Sequence, residues 1–273
     1  MSKGRLRTDL VDLTSGQSVT AEDDIDLVDV ATVDVAVDGI DLVDLEIVDA
    51  SPETQQHPPS PWTPPTNWRY QGWRRLAKRS FDVAGSFVLI IALLPVLAVI
   101  AVAVRLSSQG PVLFAQERIG LHGQSFRMLK FRTMHVDADR RLRADEELWA
   151  EYVAHDYKLP PESDPRLISI GDWLRKTSLD ELPQLFNVLR GTMSLVGPRP
   201  VVVPEFDHYR RTDSYQWLKP GATGPWQVSG RCTVNYPERS DIVDAYADSW
   251  SLTEDVKILL KTIPTILSRR GAY

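Results

Sequence analysis

The chain has 273 residues, 43% of them hydrophobic and 25% charged, so it is long enough for one or two ordinary domains and is neither a fibrous protein nor a mini-protein. The formal net charge of −6 hides an asymmetry, because residues 1–60 hold 3 basic and 14 acidic side chains and the rest hold 28 basic and 23 acidic ones. The overall acidity disfavours nucleic acid as a partner, whereas the mildly basic body leaves small anionic ligands open. A single cysteine, Cys232, excludes an internal disulfide, and no Cys/His cluster has zinc-site spacing.

Residues 1–66 form an acidic and proline-rich head. Asp recurs after one or two apolar residues, as in Asp26-Leu27-Val28-Asp29, and Asp is a poor residue in strands and in the middle of helices. We therefore predict disorder for the acidic part. Six prolines between Ser51 and Thr66 predict an extended linker, and we expect the folded part to begin near Trp68. No short apolar run follows the basic N-terminal residues, so we expect no signal peptide.

Val83–Val104 is a run of 22 residues without a charge. As a straight helix it would be about 33 Å long, which is enough to span a bilayer core of about 30 Å. Pro95 lies within the run and breaks or kinks a helix, and both flanks are basic, so the positive-inside rule places both ends on the cytoplasmic side. We predict a re-entrant membrane helix broken at Pro95, with a simple transmembrane span as the alternative.

The remaining elements follow in chain order. The segments Val112–Ala115 and Phe126–Phe131, separated by a turn at Gly120–Gly123, predict a β-hairpin. Residues 137–154 predict one charged amphipathic helix, and residues 254–267 predict a second one, which lies either on the bilayer surface or on the domain core.

The stretch from Leu174 to Leu185 is the densest in chemical groups, because two cations precede the adjacent carboxylates Asp180 and Glu181. Ser178 and Glu181 have the spacing of a helix capping box, which would make these residues structural. Pro183 opposes that interpretation, because it would fall inside the first helical turns, whereas proline suits a helix start. If the helix begins at Leu182 or Pro183, the carboxylates lie just ahead of free backbone N–H groups, where a phosphate can bind. A carboxylate there can attack phosphorus, provided that cations such as Arg175 and Lys176 or a divalent metal reduce the repulsion.

Two further segments offer cations. Gly197-Pro198-Arg199-Pro200 places one guanidinium between two prolines, which suits a fixed phosphate contact or is only a rigid loop. Lys130 and Arg132 lie on one face of the second hairpin strand, with Phe131 on the other. A Gly-rich aromatic stretch at residues 220–231 is typical either of a loop that closes over a nucleotide or of a rigid turn between elements.

Together these segments resemble the bacterial sugar transferase family, the monotopic phosphoglycosyl transferases that begin glycan assembly on undecaprenyl phosphate. The resemblance covers about residues 70–273 and rests on the following matching segments: Lys78-Arg79-Ser80-Phe81-Asp82, Gly110 to Phe114, Lys130 to Met134, Ser178 to Leu185, Met193 to Pro200, Trp226 to Arg231, Trp250 to Leu252, Leu259 to Thr262 and Gly271 to Tyr273.

The resemblance implies a two-step reaction with Mg²⁺ as cofactor. Asp180 would attack the β-phosphate of a UDP-sugar and release UMP, and undecaprenyl phosphate would then take the phosphosugar. Glu181 would complete the dyad and help to place the metal or to deprotonate the acceptor. Arg175 would hold phosphate, as would Arg199 with Pro198 and Pro200. Lys130 and Arg132 are weaker candidates for contributing positive charge to the same phosphate-binding site.

The resemblance also implies an α+β monotopic membrane protein on the cytoplasmic face of the plasma membrane. Its parts would be the head (1–66), a basic juxtamembrane segment with the re-entrant helix (67–109) and a mostly helical cytoplasmic catalytic domain (110–273). UDP-glucose and UDP-galactose are the leading donors, downstream glycosyltransferases are the expected partners, and a homodimer stays open. Leu94 departs from the family pattern, which often has Ser before this proline. An aspartate-nucleophile phosphohydrolase and a non-catalytic membrane scaffold are the alternatives.

Overall fold

The computed structural model describes residues 72–155, 159–202, 213–230, 234 and 238–267, together with the backbone of residues 30–33, 36–37, 40–41 and 45–49. The predicted proline-rich linker, the expected start near Trp68, Cys232 and the C-terminal Gly271 to Tyr273 lie outside the described residues.

One long helix, α1 (Trp73–Ser107), leads into the domain. It has 35 residues and is the one helix in the described ranges that is long and apolar enough to cross a membrane. Its buried side chains lie along one stripe, from Lys78, Asp82 and Ser86 through Ile90 to Val104. The helix continues through Pro95, and the re-entrant geometry at that residue stays a prediction.

The predicted hairpin is confirmed. Strand β5 (Leu113–Ile119) pairs antiparallel with β6 (Ser125–Phe131). Strand β5 extends four residues beyond its predicted end at Ala115. A short 3-10 turn at Leu121–Gly123 joins them, with His122 in the left-handed region. Buried and half-buried side chains alternate along the start of β5, because the face that carries Leu113 and Ala115 packs on the core.

Short strands also occur in the acidic head. They are β1 (Val30–Val33), β2 (Ala36–Val37), β3 (Ile40–Asp41) and β4 (Leu45–Asp49). The sheet has the order β1-β4-β5-β6, with β4 parallel to β5. The structure thus has extended backbone at residues for which we predict disorder, and the longer of these segments are rich in Val, Ile, Leu and Thr. These residues, apart from Leu, are enriched in strands.

The remaining helices and strands are short. They are α2 (Ala138–Arg143), α3 (Glu146–Ala154), α4 (Gly171–Thr177), α5 (Gln184–Arg190), β7 (Ser194–Val196), α6 (Asp213–Trp217), β8 (Gly221–Thr223), α7 (Pro225–Ser229), α8 (Glu238–Ser249) and α9 (Leu252–Leu267). Strands β7 and β8 pair in parallel. The predicted C-terminal amphipathic helix is confirmed as α9. The single helix predicted at 137–154 is wrong, because Asp145 starts a new helix by accepting a hydrogen bond from the Leu148 amide.

Two apolar clusters form the centre of the domain, and α1 contributes to both. Ile90 belongs to the cluster that contains Val188 and Trp250, whereas Ile100 and Val104 belong to the cluster formed with the hairpin. Helix α5 lies between α1 and β6. The α+β fold with one long apolar helix therefore agrees with the predicted class. Packing of α1 on one side and β6 on the other holds α5 in place.

Candidate functional site

Asp180 and Glu181 lie in a 3-10 turn, Leu179–Glu181, that follows α4 and precedes α5. The Ser178 side chain makes no capping hydrogen bond, so the capping-box alternative is wrong. Helix α5 begins at Gln184 directly after Pro183, close to the predicted start. Ser178 itself is in the left-handed region with φ 57°, which reverses the chain between the two helices. The two carboxylates are thus presented by a tight turn at the start of α5.

The two carboxylates differ in environment. Asp180 is buried, with 8% of its surface exposed, whereas the side chain of Glu181 is 39% exposed and its Oε1 lies 2.8 Å from Lys130 Nζ. Burial raises the pKa of Asp180 to about 6, and the charge of Glu181 acts in the same direction. The charges of Lys130 and Arg175 oppose this shift. The site therefore holds a buried carboxylate that titrates near neutral pH beside two cations.

The four predicted basic residues of this region are used differently. The Arg175 guanidinium has no hydrogen-bond partner within the described ranges, so its donors can bind an anion. Lys176 points away and pairs with Asp172 at 2.8 Å on the surface. Arg132 is buried and donates to the carbonyl oxygens of Pro111 and Met134 and to Ser108, so it ties the end of α1 to the hairpin. Of the pair predicted on β6, Lys130 is the one that contacts the dyad.

The turn Gly197-Pro198-Arg199-Pro200 is held from several sides. The Pro198 carbonyl accepts from the Gly221 amide at 2.8 Å, and the Arg199 carbonyl accepts from the Tyr215 hydroxyl at 3.0 Å. Arg199 Cζ lies 5.3 Å from the centre of the Trp226 ring, and its Nε is buried without a hydrogen bond. The guanidinium is therefore held on an aromatic surface with donor capacity left for a ligand.

Gly224 controls how closely α7 approaches this turn. A Cβ at Gly224 would overlap the Gly197 carbonyl oxygen, and φ is −172°, so the constraint is steric and not conformational. We expect Gly224→Ala to raise the KM for the UDP-sugar donor that the sequence resemblance implies and to lower the free energy of unfolding by about 1–3 kcal/mol. Steady-state kinetics and denaturation in detergent measure both. Gly85→Ala is the matched control, because its added methyl meets only the end of the Leu195 side chain; an unchanged KM in Gly224→Ala would contradict the prediction.

Two residues near the start of α1 contact the segments that carry the site. Arg79 donates to the carbonyl oxygens of Val188 (2.6 Å) and Leu189 (2.7 Å) at the C-terminal end of α5. Asp82 Oδ1 accepts from the Ser194 hydroxyl and from the Leu195 amide in β7, which leads into the Arg199 turn. One turn of α1 therefore contacts both site-bearing segments.

Lys78 completes this arrangement. Its Nζ lies 3.1 Å from Asp82 and 2.9 Å from Asp255 of α9, and all three side chains are buried. Asp255 also accepts from the Tyr246 hydroxyl at 2.7 Å and from Trp250 Nε1 at 3.3 Å. Burial raises the pKa of Asp255. Lys78 and these hydrogen-bond donors partly oppose the rise, because they stabilise the charged carboxylate. The buried Lys78–Asp255 ion pair joins α1 to α9, and the hydrogen bond from the Tyr246 hydroxyl adds α8.

Asn187 fixes α5 against the hairpin. Its Oδ1 accepts from the Leu129 amide at 2.9 Å, and its Nδ2 donates to the Arg127 carbonyl at 2.7 Å. In the sequence, Arg79 and Asp82 were included only in a segment that matches the family and were assigned no contact, and Asn187 was not singled out. An uncharged polar residue inside the apolar run from Leu185 to Leu189 was the signal available for Asn187.

No group of three or more His, Cys, Asp and Glu side chains in the part of the chain that the structure describes could hold a metal ion by itself. Mg²⁺ differs from zinc in this respect, because it is commonly bound by one or two carboxylates together with substrate phosphates and water. Asp180 and Glu181 are adjacent oxygen donors of this kind. The two residues therefore fit Mg²⁺ in the presence of a phosphate substrate.

Comparison with known proteins gives a consistent family assignment. Residues 73–269 match the profile described as bacterial sugar transferase. The chain is 46% identical over 204 residues to the UDP-galactose-lipid carrier transferase of Erwinia amylovora and 42% identical over 203 residues to the undecaprenyl-phosphate galactose phosphotransferase of Salmonella typhimurium, covering 73% of this chain and 42% of each relative. It is 44% identical over 203 residues to the exopolysaccharide production protein ExoY of Rhizobium meliloti, covering 72% of this chain and 88% of that relative. The chain thus spans less than half the length of some relatives and most of another, and it belongs to the bacterial sugar transferase family.

Proposed function

We propose that the protein transfers a hexose 1-phosphate from a UDP-sugar to undecaprenyl phosphate, releases UMP and primes exopolysaccharide synthesis. The relative in Salmonella typhimurium is named for undecaprenyl phosphate and the one in Erwinia amylovora for UDP-galactose, which supports the acceptor and the type of donor. The single observation that carries the proposal is the buried Asp180, which lies beside Glu181 at the start of α5 within the field of Lys130 and Arg175. UDP-glucose and UDP-galactose are the donors we favour.

Asp180 acts as the nucleophile in this proposal. One of its Oδ atoms forms a bond to the β-phosphorus of the donor, and the bond from that phosphorus to the bridging oxygen breaks, so that the electron pair leaves with UMP. A phosphate oxygen of undecaprenyl phosphate then attacks the same phosphorus, and the Asp180 carboxylate leaves. Arg175 and Lys130 reduce the repulsion between the carboxylate and the incoming phosphate. Arg199 binds the nucleotide half of the donor.

Mg²⁺ is part of the proposal, held by Asp180 and Glu181 together with the donor phosphates. When bound, the ion would neutralise charge on the phosphate groups. Glu181, which also pairs with Lys130, is further proposed to accept a proton from the acceptor phosphate.

The proposal places the protein on the cytoplasmic side of the membrane, where it has access to a lipid acceptor. Large apolar side chains on α1 are more than half exposed, among them Phe87, Val88, Ile91, Val99 and Val102. A contiguous apolar surface of this kind marks contact with a membrane or another protein. Helix α9 presents a similar face with Leu260 and Ile263 exposed, and it lies on the domain core through Ile258.

An assay with labelled UDP-sugar and undecaprenyl phosphate tests the function. The proposal predicts lipid-linked label together with UMP. Release of sugar phosphate into water without lipid product would indicate the phosphohydrolase, and no turnover at all would indicate the scaffold. Mass spectrometry of the protein incubated with donor alone should show the phosphosugar adduct on Asp180; its absence with normal turnover would contradict the covalent step.

The rate of the first step should depend on pH through Asp180. The nucleophile must be ionised, and burial raises the pKa of Asp180 to about 6 in the metal-free protein, so the rate should fall on the acid side by about tenfold for each pH unit. Bound Mg²⁺ favours the ionised carboxylate, so the midpoint should move to lower pH as the Mg²⁺ concentration rises. UMP release in single-turnover experiments between pH 5 and 8 measures this. Because Asp180 interacts with Glu181, the midpoint belongs to the pair. A rate that does not change between pH 7 and 5 at low Mg²⁺ concentration would contradict the prediction.

A further inference from the structure

A second cationic cluster lies away from the dyad, where the first turns of α1 pass the C-terminal end of α5. We call it the Lys219 cluster; it consists of Arg75 and Arg79 on α1 and Lys219 before β8. The seven residues of α5 separate it from the dyad by about 10 Å along the helix axis. It is therefore separate from the Asp180–Glu181 dyad.

Gly191 shows how close the cations are. This residue ends α5 with φ 97°, and the position of a Cβ on it would lie 3.2 Å from Arg79 Nη2 and 3.4 Å from Lys219 Nζ. The two cationic nitrogens are therefore within about 7 Å of each other, where like charges repel unless an anion is present. The absent side chain at Gly191 leaves the space between them open.

The described residues compensate these charges unequally. Arg79 donates to the Val188 and Leu189 carbonyls, whereas the half-buried Lys219 ammonium has no hydrogen bond or ion pair within the described ranges. Burial lowers the pKa of Lys219, and the charges of Arg79, Arg75 and Lys78 add to the shift. Asp82 opposes it, but Asp82 Oδ1 already accepts from Lys78, Ser194 and Leu195. The cluster thus has an excess of positive charge and an ammonium with unused donors.

The position of the cluster on α1 indicates where its anion comes from. Trp73 and Leu76 at the start of the helix are 73% and 68% exposed, and the Arg74 guanidinium lies 5.8 Å from the Trp73 ring centre. Exposed Trp and Arg next to an apolar helix are typical of the membrane interface, where lipid phosphates are concentrated.

We propose that Arg75, Arg79 and Lys219 bind the phosphate of an anionic phospholipid headgroup. The oxygens of one phosphate can accept from both Arg79 and Lys219 in the space beside Gly191. The bound lipid compensates the like charges and fixes the start of α1 on α5. This inference rests on the membrane location proposed above and not on the transfer reaction.

Thermal unfolding of the full chain in nanodiscs tests the proposal without using activity. The wild-type protein should melt at a higher temperature in phosphatidylglycerol than in phosphatidylcholine. Lys219→Gln should lose about 2–4 °C of that difference and, in phosphatidylcholine, should melt no lower than the wild type, because it removes a buried like charge. Lys219→Arg should retain the lipid response.

Arg140→Gln is the matched control, because it removes one positive charge from an exposed pair on α2 and should keep the full lipid response. The same response in Lys219→Gln as in the wild type would overturn the site. An equal stabilisation by inorganic phosphate in phosphatidylcholine would overturn the lipid as its occupant. If Lys219→Gln does not fold, Arg75→Gln, which changes an exposed side chain, provides the same comparison. Loss of transferase activity in every assay would leave these melting results intact, so the two proposals fail separately.

Discussion

Replacing Asp180 with Asn is expected to abolish sugar-phosphate transfer and to make the folded protein more stable. The amide has nearly the same shape but cannot attack phosphorus, so turnover should fall by about 10³-fold or more. The wild-type carboxylate is 8% exposed and has a pKa raised from 3.8 to about 6, so ionising it in the folded state costs about 3 kcal/mol at neutral pH. The variant should therefore unfold with a free energy about 1–3 kcal/mol higher at pH 7.5, measured by denaturation in detergent.

The pH dependence of this gain identifies its cause. A raised carboxyl pKa means that the folded wild type keeps its proton up to about pH 6, so the stability gap should close as the pH falls to about 4. Asp172→Asn is the matched control, since Asp172 is a surface carboxylate paired with Lys176. It should leave turnover and stability nearly unchanged. Turnover above a tenth of wild type in Asp180→Asn would contradict the nucleophile role.

Lys78→Met is expected to produce the largest loss of stability. The substitution leaves Asp82 and Asp255 buried without their cation, and breaking a buried ion pair by removing one partner typically costs 3–5 kcal/mol, so we expect a loss of about 3–5 kcal/mol. The pKa of Asp255 is already raised by burial, so the loss should be smaller at pH 5 than at pH 8. Chemical denaturation in detergent at both pH values measures it.

Lys176→Met provides the control with the same chemistry at the surface. Lys176 and Asp172 form a pair four residues apart on α4, as Lys78 and Asp82 do on α1, but both surface side chains are more than a third exposed. Solvent screens the surface pair, so its loss should cost less than about 1 kcal/mol. Equal effects of the two substitutions would show that burial does not strengthen the Lys78 contacts.

Local patterns were sufficient for the hairpin, for α9 and for the start of α5. The alternation along β5 and β6 and the preference of Pro183 for a helix start act within a few residues. The break at Asp145 was missed because the charged run at 137–154 has helical periodicity on both sides of it, and the cap is visible only as the contact to the Leu148 amide. The extended backbone at Leu45–Asp49 depends on pairing with β5, which composition does not specify.

The candidate site shows the same difference between local patterns, which could be predicted, and contacts between distant segments, which could not. Adjacency along the chain places Asp180, Glu181 and Arg175 together, and these positions could be predicted. The contact of Lys130 with Glu181 depends on how the hairpin packs against the 3-10 turn, and the separate use of Arg132 depends on the end of α1. The roles of Arg79 and Asp82 could not be predicted, because their partners lie more than 100 residues away in sequence.

The contacts of α1 with α5 and β7 also limit how the enzyme can be simplified. A water-soluble version made by cutting away the first helix would expose the last carbonyls of α5 and would leave Asp255 without its cation. Helix α1 and the candidate site therefore have to be expressed and purified as one unit. If α1 lies in the membrane as proposed, lipid or detergent is needed to handle the folded protein, whatever substrates are supplied to it.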